Sequence, residues 1–210
     1  LDELSKAGHD DVRLRVGSVE PRSLDPEFVK VMAESEGRVC RHLHLPLQSG
    51  SDKVLHEMNR PYSAHEFLEV VAMLKRQVGD ISLTTDVIVG FPGETEQDFA
   101  DTCKLVREVG FTKIHVFRYS RREGTPAASR TDQIPAETKE RRARELSVLG
   151  DRLRIQYAQR HIGSHELVAV EQEGWGMTES YYKVRVDGFP QGALVDVCLT
   201  GVDDAAIMRA

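Results

Sequence analysis

The stretch Ile81-Ser-Leu-Thr-Thr-Asp-Val-Ile-Val-Gly-Phe-Pro-Gly-Glu-Thr95 decides the fold. From Asp86 it is almost continuously apolar to Phe91, the pattern of a strand buried on both faces of a parallel sheet. It stops at Pro92-Gly93. Thr95 then offers a helix cap with Asp98 three positions on, and Phe99, Cys103, Val106 and Val109 form an apolar stripe that closes at Gly110. A strand that turns straight into an amphipathic helix is half of a βαβ unit. The same rhythm extends in both directions. Phe111 to Tyr119 reads as a further strand, and Ser63-Ala-His-Glu66 is a capping box ahead of a helix with Phe67, Val70, Val71, Leu74 and Val78 on one face. Val39 to Leu47 reads as a strand running into the polar turn Gln48 to Asp52 and a short helix through Met58. Residues 12 to 19 alternate as a first strand ended by Glu20-Pro21, and Asp25-Pro26 starts a helix carrying Val29, Met32 and Ala33 up to Gly37. Strands separated by helices at roughly 30 to 40 residues predict right-handed βαβ units in a parallel sheet, an α/β class; four strands do not close a barrel.

Further on, residues 136 to 160 predict one long charged helix with Leu146, Leu149, Leu153 and Tyr157 inward. The pattern changes from Gly163. Short alternating runs, Glu166 to Val170, Tyr181 to Val186 and Leu194 to Thr200, are punctuated by Gly174, Gly176, Gly188 and Gly192, as in a small antiparallel β-barrel. The expected division is 1–130 for the α/β part, 131–161 for a connecting basic helix and 162–210 for the barrel.

Composition narrows the function classes. The chain has 210 residues, 40% hydrophobic and 30% charged, enough for one sizeable core with an appendage. No run approaches the ~20 apolar residues of a membrane span, so no membrane partner is expected and a cytoplasmic setting fits. The start at Leu1, without Met and entering what reads as helix, suggests excision from a longer chain. Cys40, Cys103 and Cys198 lie far apart, giving neither a disulfide framework nor a C-x-x-C metal spacing; each reads as a small core residue. Charge is uneven: net −6 over residues 1–117, +5 over 118–160 and −5 over 161–210. The central arginines, Arg118, Arg121, Arg122, Arg130, Arg141, Arg142 and Arg144 among them, suit a phosphate backbone or, with their interspersed acids, a solvated helix face.

In parallel α/β folds the loops after the strands' C-terminal ends build the site. Three of these are rich in small polar residues: Gln48-Ser49-Gly50-Ser51-Asp52, Gly90 to Thr95, and Tyr119-Ser120 through Thr125, with Glu20 on the same rim. Glycines admit a ligand close to the backbone, and the hydroxyls, amide and carboxylates suit a ribose and an amino-acid head group. The phosphate-loop pattern is missing. His42 and His44 fall on one face of a strand, as a metal would need, but no third ligand is evident, so the pair reads as a packed or barrel-lining couple; His115 and Trp175 read as packing residues.

Taken together, Arg41-His-Leu-His-Leu-Pro-Leu-Gln-Ser-Gly-Ser-Asp-Lys-Val-Leu55, Met58-Asn-Arg-Pro-Tyr62, Thr84 to Thr95, Tyr119-Ser120 and Arg122-Glu-Gly-Thr-Pro-Ala127 resemble the radical S-adenosylmethionine (radical SAM) methylthiotransferases. The His-Leu-His and Met-Asn-Arg-Pro-Tyr forms and His115-Val-Phe look most like the MtaB-like branch, which acts on N6-threonylcarbamoyladenosine in tRNA. The MiaB-type branch, acting on isopentenyladenosine, is the nearer rival, and the branch acting on a ribosomal protein fits less well after Gln48. The resemblance implies the C-terminal portion of a radical SAM partial (β/α) barrel over 1 to about 130, and, through Gly176 to Val186, a TRAM-like β-barrel. It implies methylthiolation of a tRNA adenosine beside the anticodon, with S-adenosylmethionine and two 4Fe-4S clusters as cofactors and tRNA as partner. No C-x-x-x-C-x-x-C occurs, so the cluster ligands are expected outside this chain, which alone should be inactive and holds no catalytic residue of its own. Glu20, Gln48, Ser49, Asp86, Val89, Gly90 and Phe91 are then expected to face the cofactor. Arg60, Arg118, Arg141, Arg142 and Arg144 are expected on the substrate side. Two departures stand out: the TRAM-like part is acidic, which moves the expected RNA surface to 118–160, and Arg118 and Arg121 occupy places where proline is expected. A different class of function, a non-catalytic RNA-binding module, remains open; a barrel hydrolase or aldolase lacks its Lys, metal or nucleophile motif.

Overall fold

The computed structural model describes residues 12–35 and 37–210; the helix expected at the very start lies outside them. A turn of 3-10 helix (Pro21–Ser23) precedes α1 (Pro26–Glu34), and then come β1 (His42–His44), α2 (Asp52–Glu57), α3 (Ala64–Val78), β2 (Ser82–Val89), α4 (Glu96–Val109) and β3 (Lys113–Arg118). β1, β2 and β3 pair in parallel in that order, with His44 opposite Thr84 and Asp86 opposite His115. The helix starts follow the local chemistry read from sequence. Asp25 caps α1, Ser63 and Glu66 form a reciprocal capping box on α3, and Thr95 and Asp98 form one on α4.

Two expected strands are shorter than their patterns. Of 39 to 47 only His42–His44 is a regular strand, because Pro46 has no N–H to give the ladder. The Thr85 hydroxyl patches the gap, accepting from Leu47 N (2.9 Å) and donating to Leu45 O (2.7 Å). Residues 12 to 19 make only isolated parallel bridges, at Leu14 to Val39 and Ser18 to His44. This segment is shared between two sheets: Arg13 and Arg15 leave it to donate to backbone carbonyls of the second one, Arg15 to Thr178 O at 2.7 Å and Glu179 O at 3.1 Å.

The outer face of the β1–β3 sheet is apolar and packs Leu43, Leu45, Leu83, Val87 and Val89 against Phe67, Leu74, Phe99, Val106 and Phe111 of the helices and loops. The inner face is not covered. Asp86 and Ile88 of β2 are half-buried, so this strand is not sealed on both faces as its sequence predicts. Three strands leave the lumen of the curved sheet open.

After a short helix, α5 (Pro126–Ser129), the 25-residue α6 (Ala136–Arg160) joins the two halves. Leu146 is buried in the first core with Leu149 and Leu153 against it, while Tyr157 and Ala158 enter the second. The second core lies under β4 (His165–Gln172), β5 (Trp175–Thr178), β6 (Lys183–Arg185), β7 (Leu194–Cys198), β8 (Gly201–Val202) and β9 (Met208–Arg209), in the order β7-β4-β5-β6-β9-β8. A flat sheet of six strands would part its edge strands by about 24 Å at ~4.8 Å a step. Yet β7 and β8 are joined through only Leu199 and Thr200, so the sheet rolls into a small barrel; the β6–β9 pair is parallel, which departs from the all-antiparallel expectation.

Between the two halves, Tyr181, held at φ 67°, stacks on His42 with centroids 4.6 Å apart, and Arg15 lies 5.0 Å from its ring. Burial, with repulsion from Arg15 and His44, pulls the His42 imidazole down to about 3.

Two consequences are measurable. A Cβ on Gly50 would lie 2.6 Å from Thr102 Cα, a backbone atom that cannot step aside. Gly50→Ala should therefore cost about 1–3 kcal/mol in chemical denaturation, and a change under 0.5 kcal/mol would show that the turn can slide off α4. For His42, the unfolded chain takes up a proton near the ordinary 6.5 while the folded one refuses it until about 3, so stability must fall as pH drops through that window. Between pH 6.5 and 5 the His42→Gln variant should show a shallower loss of urea midpoint than the parent; equal slopes would place the buried imidazole in water.

Candidate cofactor and substrate site

Alternation along three paired strands builds the site. Residues pointing away from the helices fall in rows across the inner face: His42 and His44 from β1, Thr84 and Asp86 from β2, Lys113 and His115 from β3. The Thr84 hydroxyl lies between the two histidines, 3.1 Å from His42 Nε2 and 3.0 Å from His44 Nδ1. Beyond it His44 Nε2 stands 3.4 Å from Asp86 Oδ2, and the His44 and His115 rings are 6.0 Å apart. One ligand atom from each of His44, Asp86 and His115 lies within 4.8 Å of the others. The histidine pair thus gains two neighbours that sequence reading did not give it. Asp86 was read toward a different ligand and His115 as a packing residue; the signal available was that 113 and 115 share the parity of the polar positions in β2. Burial, helped by Lys113, lowers His115 while Asp86 opposes the shift, so the ring is a neutral hydrogen-bonding group.

Where β1 and β2 end, the chain reaches the rim. Gln48 sits at φ 66° with its backbone locked to β2 on both sides, N to Asp86 O at 2.8 Å and O from Ile88 N at 2.9 Å. Its side-chain amide, on a residue 7% exposed, has no hydrogen-bond partner among the described residues. Ser49 is turned the other way: its hydroxyl faces Thr102 Oγ1 of α4 at 3.3 Å and accepts from Ser51 N at 3.2 Å. Glu20 and Arg60 meet across the rim, Nη1 to Oε1 at 3.6 Å.

The Gly90–Thr95 loop is fastened from behind. Glu94 accepts from Gly90 N and from Arg142 Nη1 (2.7 Å), with both side chains almost fully buried. Burial pushes the Glu94 carboxyl up against the pull of those two donors. Gly90, at φ 72°, has the Lys139 side chain against it, and Lys139 Nζ donates to Tyr119 O at 3.1 Å. Phe91 is buried edge-on to Tyr119, whose own hydroxyl has no partner. Val89 is fully buried in the core behind the sheet, so its side chain faces the helices and only its backbone borders the rim.

On the expected substrate side, the structure separates the arginines. Arg118 ends β3 at the rim and is exposed. Arg141 is paired with Glu96 (2.8 Å) and Glu145 (3.0 Å), and Arg144 lies 3.4 Å from Glu140. Arg142 is 2% exposed, and its guanidinium is occupied by Glu94 and by Glu96 at 2.6 Å, which leaves it no face for a phosphate. The expected basic surface of α6 is thus largely neutralised by its own acids.

Fit to cofactors divides cleanly. The free Gln48 amide and the carboxylates of Asp86 and Glu20 on an open polar face suit a molecule with a cationic centre, an amino-acid head and a ribose. A four-iron cluster is different, since it needs clustered thiolates. Cys40 and Cys103 are buried, Cys198 is exposed, and among the described residues none joins another in a potential metal group.

Comparison with known proteins agrees with this geometry. The chain is 39% identical over 180 residues to a protein of Endomicrobium trichonymphae named tRNA-2-methylthio-N(6)-dimethylallyladenosine synthase, covering 86% of this chain and 43% of that protein. A protein of the same name from Geobacillus thermodenitrificans is 41% identical over 173 residues, 82% of this chain and 32% of its own length. The chain therefore spans about a third to two-fifths of the curated relatives it matches. Among solved structures, Escherichia coli coproporphyrinogen III oxidase, described as a radical SAM enzyme, superposes with TM-score 0.54 at 21% identity over 67% of this chain and 32% of that one, a likeness of fold. The Radical SAM superfamily profile matches residues 2–106, half of the sequence and the part that builds the open polar face, and the chain belongs to that superfamily.

Proposed function

We propose that this chain is part of a radical SAM tRNA methylthiotransferase whose substrate is a tRNA adenosine carrying an N6-dimethylallyl group. The observation that carries the reading is the open inner face of β1–β3, where Asp86, His44, His115 and the unpartnered Gln48 amide converge beside the rim carboxylate of Glu20. The relatives' shared name supports the dimethylallyl substrate over the threonylcarbamoyl one that His42-Leu-His44 and Met58-Asn-Arg-Pro-Tyr62 favour by resemblance.

When bound, S-adenosylmethionine beside an iron-sulfur cluster supplies a radical and a methyl group. The residues of this chain bind and orient. Asp86 and Glu20 offer negative charge to a sulfonium or ammonium, Gln48 offers both donor and acceptor to a ribose or head group, and the Gly90 backbone, with no Cβ, lets a flat ring approach. Arg60 and Arg118 present positive charge at the rim, where tRNA phosphates would approach. Cluster ligands are assigned to the portion of the relatives' length that this chain does not span.

The test uses the enzyme with that portion included and its iron content measured. Asp86→Asn and Gln48→Ala should each weaken S-adenosylmethionine binding in equilibrium dialysis by about tenfold or more, the loss of one or two good polar contacts, with iron content unchanged. Mass spectrometry of tRNA should find methylthio product on dimethylallyladenosine. Product on threonylcarbamoyladenosine alone would overturn the substrate, and no product on either with clusters loaded would leave a binding module.

A further inference from the structure

The β-barrel carries a net charge of −5, a poor credential for a nucleic-acid surface, yet its placement of charge is one-sided. Residues 161–210 contain three cations, Lys183, Arg185 and Arg209. All three are exposed and all lie on one face. Val184 and Met208 point into the barrel core, so their neighbours Lys183, Arg185 and Arg209 point out. Strand register then aligns them: Trp175 of β5 stands opposite Arg185 of β6, which stands opposite Arg209 of β9, and Lys183 lies opposite Met177. Lys183 Nζ is 4.4 Å and Arg185 Cζ 4.9 Å from the centroid of the half-buried Trp175 ring. Among the described residues none of the three makes a salt bridge, in contrast to Arg141, Arg142 and Arg144 of α6. The eight acids of this region are spread over turns and other strands, with Asp187 at the end of the Trp175 row.

We propose that the outer face of β5, β6 and β9, formed by Trp175, Lys183, Arg185 and Arg209, is a docking surface for single-stranded RNA, a base stacking on the Trp175 indole while the three cations take the flanking phosphates. The chemistry fits that occupant. An indole provides a sequence-tolerant stacking platform worth about 1–3 kcal/mol per base, and unpaired cations on strands ~4.8 Å apart are spaced on the scale of successive phosphates. With no ligand, two of the cations rest over the ring. On binding, a base replaces them there as they turn to phosphate. The proposal rests on the tRNA reading above for its biological meaning, but the surface is tested without it.

Trp175 is the sole tryptophan of the 210-residue chain, so its fluorescence reports on this face alone. Titration with a mixed-sequence 12-nucleotide single-stranded RNA should quench it, with log K falling against log salt at a slope near −2, about −0.7 for each of three phosphates. Lys183→Glu with Arg185→Glu should weaken binding at least tenfold, followed by anisotropy of labelled RNA, and bring the slope to about −0.7. Trp175→Phe should bind within about threefold of the parent and Trp175→Ala about tenfold more weakly. Quenching of equal strength by polyglutamate would overturn the choice of RNA in favour of an acidic polypeptide. RNA that binds without changing Trp175 emission, or that binds the double reversal within twofold of the parent, would reject this face while leaving the methylthiotransferase reading intact; quenching by RNA in a chain whose complete enzyme modifies no tRNA would do the reverse.

Discussion

The geometry of the rim hangs on one carboxylate. Asp98, at the third position of α4, accepts from Thr95 N (2.8 Å), Thr95 Oγ1 (2.7 Å), Ser51 Oγ (2.6 Å) and Lys53 Nζ (3.0 Å). Burial alone would raise its pKa, but these donors hold the carboxyl well below the usual carboxylate range. Two of the donors belong to the loop after β2 and two to the turn and helix after β1. A single charged group therefore fixes both loops in one mutual arrangement, and the helix N-terminus behind it adds a favourable field. With Gly50 seated directly on the backbone of Thr102, that arrangement leaves Gln48 and Asp86 facing the lumen side by side.

A second constraint ties this rim to the rest of the chain. The Glu94–Arg142 pair is buried at both ends, and breaking such a pair typically costs about 3–5 kcal/mol because the remaining charge has nowhere to go. It joins the Gly90–Thr95 loop to α6, and α6 in turn sends Leu146 into one core and Tyr157 into the other. The site loop, the long helix and the β-barrel are thus one mechanical series. Tyr181 on His42 and Arg15 on the carbonyls after β5 close that series from the opposite end.

What sequence discloses about such a chain follows range. The capping boxes at Ser63 and Thr95, the stop at Pro92-Gly93, and α6 from 136 to 160 were legible because each is decided by residues three or four positions apart. The rim loops were legible too, since strand ends in a parallel sheet have a fixed polarity. The His44–Asp86–His115 cluster was only half legible: each strand's alternation shows locally, but the register that brings 44, 86 and 115 together is a property of three paired strands. Arg142 was unreadable for the same reason. Nothing within a few residues of it announces a partner 48 positions upstream, and an arginine among arginines reads as surface.

Net charge by segment misleads in both directions here, for one physical reason. Summing over a stretch of sequence averages over faces that never see the same solvent. Residues 118–160 carry +5, but acids at i+4 and across the loop take up much of it: Arg141 has Glu145 and Glu96, Arg144 has Glu140, and Arg142 is buried. Residues 161–210 carry −5, but period-2 alternation sends its three cations out on adjacent strands beside its one indole. A polyanion responds to local potential within about 8–10 Å at physiological salt, not to the sum over a domain. Arginines already paired with carboxylates must break those pairs before they can serve a phosphate; Lys183, Arg185 and Arg209 need not, and neither does Arg118 at the lumen rim.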